Sequence, residues 1–470
     1  MKIDPIKLER QTKGVDLWFN NNCQGILDYH TGVGKTFTAS LAVKKLELID
    51  KSTYVILVPS AELLVQWKRK LIEYFPKYLI ERIVLKTVQS ILSEDLQYEV
   101  GTLIIDEIHE FATEDRLRVF DQSIIKHKRF LGLTASGDDK NFRKILRFYK
   151  IIDYISAEEA KEKGYVADFI EYNLGLELSL REKELYDNFT EIINRNMPKF
   201  ENNLTYAQYV MSGGKHNTGV YYSGVGWATA LAMKKGWKHN LNLNNESERL
   251  INALWHPNNF IGYAKSLINA VRARKELLCT ANEKYRITLE LVKKFDKVKT
   301  ILFSESTEFA DKVAILLNKN KHPTVVYHSN LKTVMGTSST TGKLIKMGKT
   351  RLKREALDKI RTGKARLLST AKSLDRGLDI EDLRMSITTS GTQNPTQYKQ
   401  RSGRPTRKEE DSMFSDLPVL LVNLYIKDTQ DAIWLQKRQD NSKHEPIEVS
   451  TIEEIDYYPP ANVEFSILDL

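Results

Sequence analysis

Residues 30–36 read HTGVGKT, and what this stretch is decides the fold around it. Its Gly-Lys-Thr ending is that of a phosphate-binding loop, yet the strict pattern GxxxxGK followed by Ser or Thr asks for glycine at position 29, where this chain has Tyr29. The flanks carry the decision. CQGILDY before the turn is short and ends in apolar residues, as a buried strand does, and FTASLAVKKLEL after it places apolar residues at helical spacing. Strand, glycine turn and helix in that order let backbone amides converge on an anion, with the positive end of the helix dipole behind them. Thr31, Gly32 and Gly34 would then cradle phosphates, Lys35 would reach the terminal ones, and the Thr36 hydroxyl would reach a magnesium ion.

Magnesium bridging two phosphates also needs a carboxylate at the end of a neighbouring strand. Residues 102–109, TLIIDEIH, supply one: an apolar strand ends in Asp106, suited to the metal, and Glu107, suited to orienting and deprotonating a water. Adjacent acids after a strand also arise as a solvated turn. Their place after the glycine turn, and the histidine that follows them, argue for the chemical reading.

Of the 470 residues, 41% are hydrophobic and 28% charged, an ordinary globular composition. The length suits two or three domains at roughly 150 residues each. Cys23 and Cys279 are the only cysteines, which excludes a disulfide framework and a four-thiolate metal site. No pattern with zinc spacing surrounds His109. Neither a signal-like nor a membrane-length apolar run occurs, so the expected location is the cytoplasm, with no membrane partner. The net charge of +10 is unevenly spread: Glu409 to Leu470 hold 14 acidic and 4 basic residues, a sum of −10, so residues 1–408 carry +20. A body that basic suits a polyanion, whose counterions are released on binding, although a well-solvated surface has the same composition.

HTGVGKT followed by DEIH resembles motifs I and II of the superfamily 2 helicases of DExH and DEAH type, in which motif I commonly departs from the strict loop as it does here. Further motifs follow in the family's order: VPSAELLVQW from Val58 resembles motif Ia, TVQS from Thr87 motif Ib and LTAS from Leu133 motif III. In the second half ILFSES from Ile301 resembles motif IV, STAKSLDRGLDI from Ser369 motif V, and QRSGRPTR from Gln400 motif VI. The resemblance implies an α/β fold, with two RecA-like parallel-sheet domains in tandem and a mainly helical insertion between them. It also implies ATP hydrolysis with magnesium. Arg404 and Arg407 would place positive charge on the transferring phosphoryl group from across a cleft. By the same resemblance Gln400 would sit near the attacking water, Gly377 and Asp379 near the sugar and phosphates, and Gln11 at the adenine. His109, Thr134 and Ser136 would couple nucleotide state to closure. Ser60, Thr87, Ser90, Ser304, Thr370 and Ser373 would touch a sugar-phosphate backbone without reading bases; each is also a residue type that caps helices.

These readings divide the chain into a first RecA-like domain at 1–170, a helical insertion at 171–290, a second RecA-like domain at 291–426 and an acidic tail at 427–470. Tyr221, Tyr222, Trp227 and Trp237 among the insertion's lysines suit base stacking and, better, the core of a small lobe. TVMGTSSTTGKLIKMGKT from Thr333 reads as a polar surface loop without apolar period. AEEAKEKGYVADF from Ala157 and AIWLQKRQ from Ala432 are most similar to phage and repair DNA helicases, including branch-migration enzymes. The expected partner is therefore single-stranded or branched DNA, bound by a monomer without sequence preference. RNA is the rival partner on the pattern of the DEAH-type RNA helicases, and a duplex translocase of a restriction or remodelling system is another reading. A non-catalytic binding module is opposed by the presence of Lys35, Thr36, Asp106, Glu107, Arg404 and Arg407 together.

Overall fold

A computed structural model of the chain describes residues 4–94, 96–137, 140–215, 219–240, 245–337, 344–371, 380, 382–403, 405, 418–440 and 445–456. The first sheet contains β1 (Gln24–Tyr29), β2 (Tyr54–Val58), β3 (Ile83–Thr87), β4 (Tyr98–Ile105), β5 (Ile125–Thr134) and β6 (Ile151–Ile155), in the spatial order β3-β2-β4-β5-β1-β6. Its pairings are parallel. Parallel strands need crossovers that cover both faces, which is why they read as unbroken apolar runs: YVILV of β2 is buried at every position. Trp18, Val43, Leu46 and Trp67 pack in one apolar cluster, and Ile105, Phe111, Phe130 and Phe142 in another. The register pairs Asp28 with Thr134 and Ile105 with Gly132, so the segments after β1, β4 and β5 leave the sheet along one edge. Ligands of parallel sheets sit outside that carboxyl edge.

After β7 (Phe169–Leu176) the chain forms a separate compact unit, residues Leu176–Arg286. It is helical, with helices Leu180–Asn196, Leu204–Ser212, Gly224–Lys234, Glu246–Leu254 and Pro257–Cys279, apart from a short hairpin of β8 (Gly214–Lys215) and β9 (Tyr221–Tyr222). Ser179 and Glu182 open its first helix with a reciprocal capping box. Phe200, Trp227, Leu231, Phe260 and Leu267 form its core. The indole N–H of Trp227 donates to the Gly214 carbonyl at 2.9 Å, and Tyr222 and Trp237 pack against the same cluster. Three of the four aromatics singled out in the sequence thus serve the lobe's core, while Tyr221 is 63% exposed.

The second sheet is built from β10 (Thr300–Ser304) and β11 (Thr324–His328); a hairpin of β12 (Val334–Thr337) and β13 (Leu344–Met347) follows. Then come β14 (Leu367–Ala371), β15 (Met385–Thr388), β16 (Val419–Ile426) and β17 (Ile447–Val449), giving the order β11-β14-β10-β15-β16-β7-β17. Two tandem parallel-sheet domains with a helical insertion are therefore present. The borders differ from expectation in three places. β7 joins the second sheet, because its alternating FIEYNLGL is buried from Glu171 onward. The segment expected as a tail from 427 carries the helix Gln430–Gln439 and β17, which pairs with β7. Its acidic composition concealed this: Asp431 is 1% exposed and accepts a hydrogen bond from the Ile426 amide at 3.2 Å. Finally, the polar stretch from Thr333 pairs as β12 and β13 where a loop was expected.

Candidate nucleotide site

The phosphate-loop candidate leaves β1 already fixed to β6, since the His30 amide donates to the Ile155 carbonyl at 3.0 Å. Gly32 and Gly34 have φ of 96° and 93°, the left-handed region that glycine occupies without a Cβ clash. A Cβ on Gly34 would lie 2.4 Å from Nε2 of Gln11. The helix Lys35–Glu47 begins without a side-chain cap, so its first-turn amides stay available to an anion, and Lys44 and Lys45 in its last turn complement the dipole. Gln11 is buried, and its Nε2 donates to the Val33 carbonyl at 2.7 Å. The amide expected at adenine therefore grips the loop backbone. Thr31 and Thr36 are half-buried on either side of the two glycines.

Lys35 is buried, with Nζ donating to the Tyr29 carbonyl at 3.4 Å and lying 3.7 Å from Glu107 Oε1. Asp106 follows β4 and is 4% exposed; Oδ2 accepts from the Trp67 indole at 2.8 Å and Oδ1 from the Glu107 amide at 2.9 Å. Burial, and then the neighbouring Glu107 charge, push the Asp106 carboxyl up to about 6. Glu107 takes φ 47° and ψ 50°, a left-handed conformation costing a non-glycine residue about 1 kcal/mol. His109 Nδ1 lies 3.0 Å from Thr134 Oγ1 and 3.5 Å from Glu107 Oε2, and Thr134 Oγ1 also accepts from the Ser136 amide at 3.0 Å. The ends of β4 and β5 are thereby connected through His109, Thr134 and Ser136. His30 is neutral at neutral pH, because burial and the charges of Lys35 and Lys399 push it down to about 4.

The donor chemistry around Lys35 fits magnesium with phosphates. Asp106, Glu107 and the Thr36 hydroxyl are hard oxygen donors beside an uncapped helix start. Among the described residues no group of three or more His, Cys, Asp or Glu could hold a metal.

The second sheet supplies a wall to this site. Gly403, just after the helix Pro395–Ser402, packs so closely on the loop that a Cβ there would lie 2.6 Å from Thr31 Cβ. That helix is anchored from behind: Arg401 donates to Glu305 Oε1 at 2.8 Å and to the Ser390 carbonyl at 3.2 Å, and Tyr398 donates to Glu171 of β7. Gln400 lies on the same helix. Arg404, Arg407, Gly377, Asp379 and Ser373 lie outside the described residues.

The residues proposed for a nucleic-acid backbone divide into two kinds. Ser60 and Thr87 are helix N-caps, accepting from the Leu63 and Ser90 amides at 3.4 and 3.2 Å, and Ser90 is exposed in the turn that Thr87 caps. Ser304 and Thr370 differ from the expectation of surface contacts: they are 2% and 1% exposed, since β10 and β14 are central strands of the second sheet. Ser304 Oγ pairs with Ser390 Oγ at 3.2 Å.

One set of neighbours escaped the sequence reading. Arg10, Tyr29, Asp153 and Glu159 are joined by hydrogen bonds under the loop. No local spacing signals a group assembled from residues up to 149 positions apart.

Comparison with known proteins agrees with this architecture. Residues 3–138 match the family described as type III restriction enzyme, res subunit, and residues 283–409 match the helicase conserved C-terminal domain. A DNA 3'-5' translocase XPB2 of Sulfurisphaera tokodaii is 24% identical over 458 residues, 93% of this chain and 85% of that protein. Among solved structures, the Pyrococcus furiosus Hef helicase domain has a TM-score of 0.50 at 16% identity, over 91% of this chain and 96% of that one. Dbp5 of S. cerevisiae, bound to RNA and ADP BeF3, has a TM-score of 0.53 at 14% identity, over 96% and 95%. The structural likenesses establish the tandem fold. The two family matches, one on each sheet domain, identify the chain as an ATP-hydrolysing enzyme of helicase superfamily 2.

Proposed function

We propose, starting from this membership, that the chain is a motor that couples Mg-ATP hydrolysis to movement on DNA. The observation that carries the reading is the Lys35, Asp106 and Glu107 cluster, linked through His109 to Thr134 and Ser136 at the end of β5. Lys35 and the amides after Gly34 would bind the phosphates. Glu107 would orient the attacking water and accept its proton, while Asp106 and Thr36 would hold magnesium, which neutralises charge developing on the phosphates. The contact of Gly403 with Thr31 supports a role for Arg404 and Arg407 in completing the site from the second domain. A change at the phosphates would pass to β5 through the Glu107 to Ser136 chain and open or close the wall formed by the second domain.

DNA is favoured over RNA by the relative whose described activity is DNA translocation, and 3′ to 5′ is the direction to test first. Strand separation or branch migration would be the output, as the similarity to phage and repair DNA helicases suggests. Binding by phosphate contacts should be independent of sequence and weaken steeply with salt. Steady-state ATP hydrolysis with a 3′-tailed, a 5′-tailed and a four-way-branched DNA, each beside an RNA of matching shape, tests the reading. Stimulation by DNA above RNA supports it, and stimulation by RNA alone overturns it.

A further inference from the structure

The phosphate loop departs from the strict pattern at Tyr29, and the structure shows what replaces the glycine. Tyr29 is fully buried at the end of β1, with its hydroxyl donating to Asp153 Oδ2 at 2.6 Å. The same carboxylate is clasped on both oxygens by Arg10, with Nη1 to Oδ2 at 2.5 Å and Nη2 to Oδ1 at 2.9 Å. Arg10 also donates to Glu159 Oε1 at 3.2 Å and to the Tyr154 carbonyl at 3.1 Å, and its guanidinium lies 5.4 Å from the Tyr29 ring centroid. Gly14, one turn beyond Arg10, leaves the room this needs: a Cβ there would lie 1.7 Å from the Tyr29 hydroxyl. Burial opposes ionisation of Asp153, but hydrogen bonds from Arg10 and Tyr29 outweigh it and hold the carboxyl below its usual range.

Arg10 is the residue before Gln11, whose amide holds the Val33 carbonyl beside Gly34. The helix Pro5–Asn20 is thus fixed to β6 by Arg10, to β1 by Gly14 against Tyr29, and to the loop by Gln11. We infer that Arg10, Tyr29 and Asp153 are positioning residues that set the height of the phosphate loop and the reach of Gln11, and so the affinity and base preference for nucleotide. A bidentate Arg–carboxylate pair suits this role because it fixes orientation as well as distance. None of the three touches the reacting atoms.

The inference rests on the nucleotide reading of the loop, and the test separates the two. KM and kcat for ATP and GTP are measured for Tyr29→Phe, Asp153→Asn, Arg10→Ala and Arg10→Lys of the full chain, with binding of a fluorescent ADP analogue and melting temperature read in parallel. Tyr29→Phe and Asp153→Asn should raise KM for ATP and the analogue Kd about five- to twentyfold with kcat within about twofold, and lower the preference for ATP over GTP. Arg10→Lys should recover part of what Arg10→Ala loses. Unchanged KM and Kd in Tyr29→Phe and Asp153→Asn would overturn the inference, as would losses confined to kcat and melting temperature. A wild-type chain that neither binds the analogue nor hydrolyses ATP would instead overturn the nucleotide reading itself.

Discussion

Single side chains set the chemistry of the nucleotide site, and their burial makes its demands measurable. Lys35→Ala should lower kcat by at least about a hundredfold, read by steady-state hydrolysis, because charge next to a transferring phosphoryl group cannot be replaced by water in a buried site. Asp106 adds a pH dependence whose sign can be stated. Its folded carboxyl titrates at about 6 against an ordinary 3.8, so between those values the folded chain keeps a proton that the unfolded chain has released. Stability is then fully favoured below about 4 and is lost as pH rises through about 6. The effect should be on the order of 1 to 2 kcal/mol in metal-free buffer. Denaturant unfolding at pH 5 and pH 7 should show that difference in the wild type and a smaller one in Asp106→Asn. Because a proton and magnesium compete for Asp106, hydrolysis should decline on the acid side, and the decline should move to lower pH as magnesium is raised. Lys35, Asp106 and Glu107 could be picked out in sequence because each sits in a short motif, the glycine turn or the strand end, and the structure brings these motifs together. The Arg10 to Asp153 pair could not, since a separation of 143 positions carries no pattern that announces it.

At the level of elements, the site depends on where strands end and on how the loop enters the next helix. Gly34 shows this most directly, with φ 93° and Gln11 Nε2 where a Cβ would be. Gly34→Ala should destabilise the chain by about 1 to 3 kcal/mol in denaturant unfolding and weaken nucleotide binding more than tenfold, because both the backbone and the Gln11 contact must shift. Thr134→Ala tests the link between β4 and β5. It should leave basal hydrolysis largely intact while reducing nucleic-acid stimulation severalfold, whereas equal loss of both would remove Thr134 from the coupling path. The parallel strands of both sheets were readable as continuous apolar runs, and the glycine turn announced the helix after it. β7 and β17 were not readable as sheet members. β7 is interrupted by Glu171 and Asn173, whose side chains form a buried polar network with Asn423 and Gln439, and β17 spans only Ile447–Val449. The alternation in β7 reads as a strand with one face in water, so it does not announce that Glu171 and Asn173 are buried as well.

On the scale of the whole molecule, the chain combines a body of two sheets with a helical unit that has its own core. Residues 176–286 expressed alone should fold and unfold cooperatively, and Phe260→Ala should cost that fragment about 3 to 5 kcal/mol, checked by thermal and denaturant melts. The tandem architecture was legible because ordered motifs run through both halves, while the helix Gln430–Gln439 and β17 were hidden by the acidic composition around them. The most direct test of the central claim is ATP hydrolysis by the purified full chain with single-stranded, duplex and branched DNA and with RNA, beside Glu107→Gln. A DNA-driven motor should show hydrolysis raised at least about tenfold by DNA, most by the branched form, and abolished in Glu107→Gln. Hydrolysis that ignores DNA, or that survives Glu107→Gln, would contradict it.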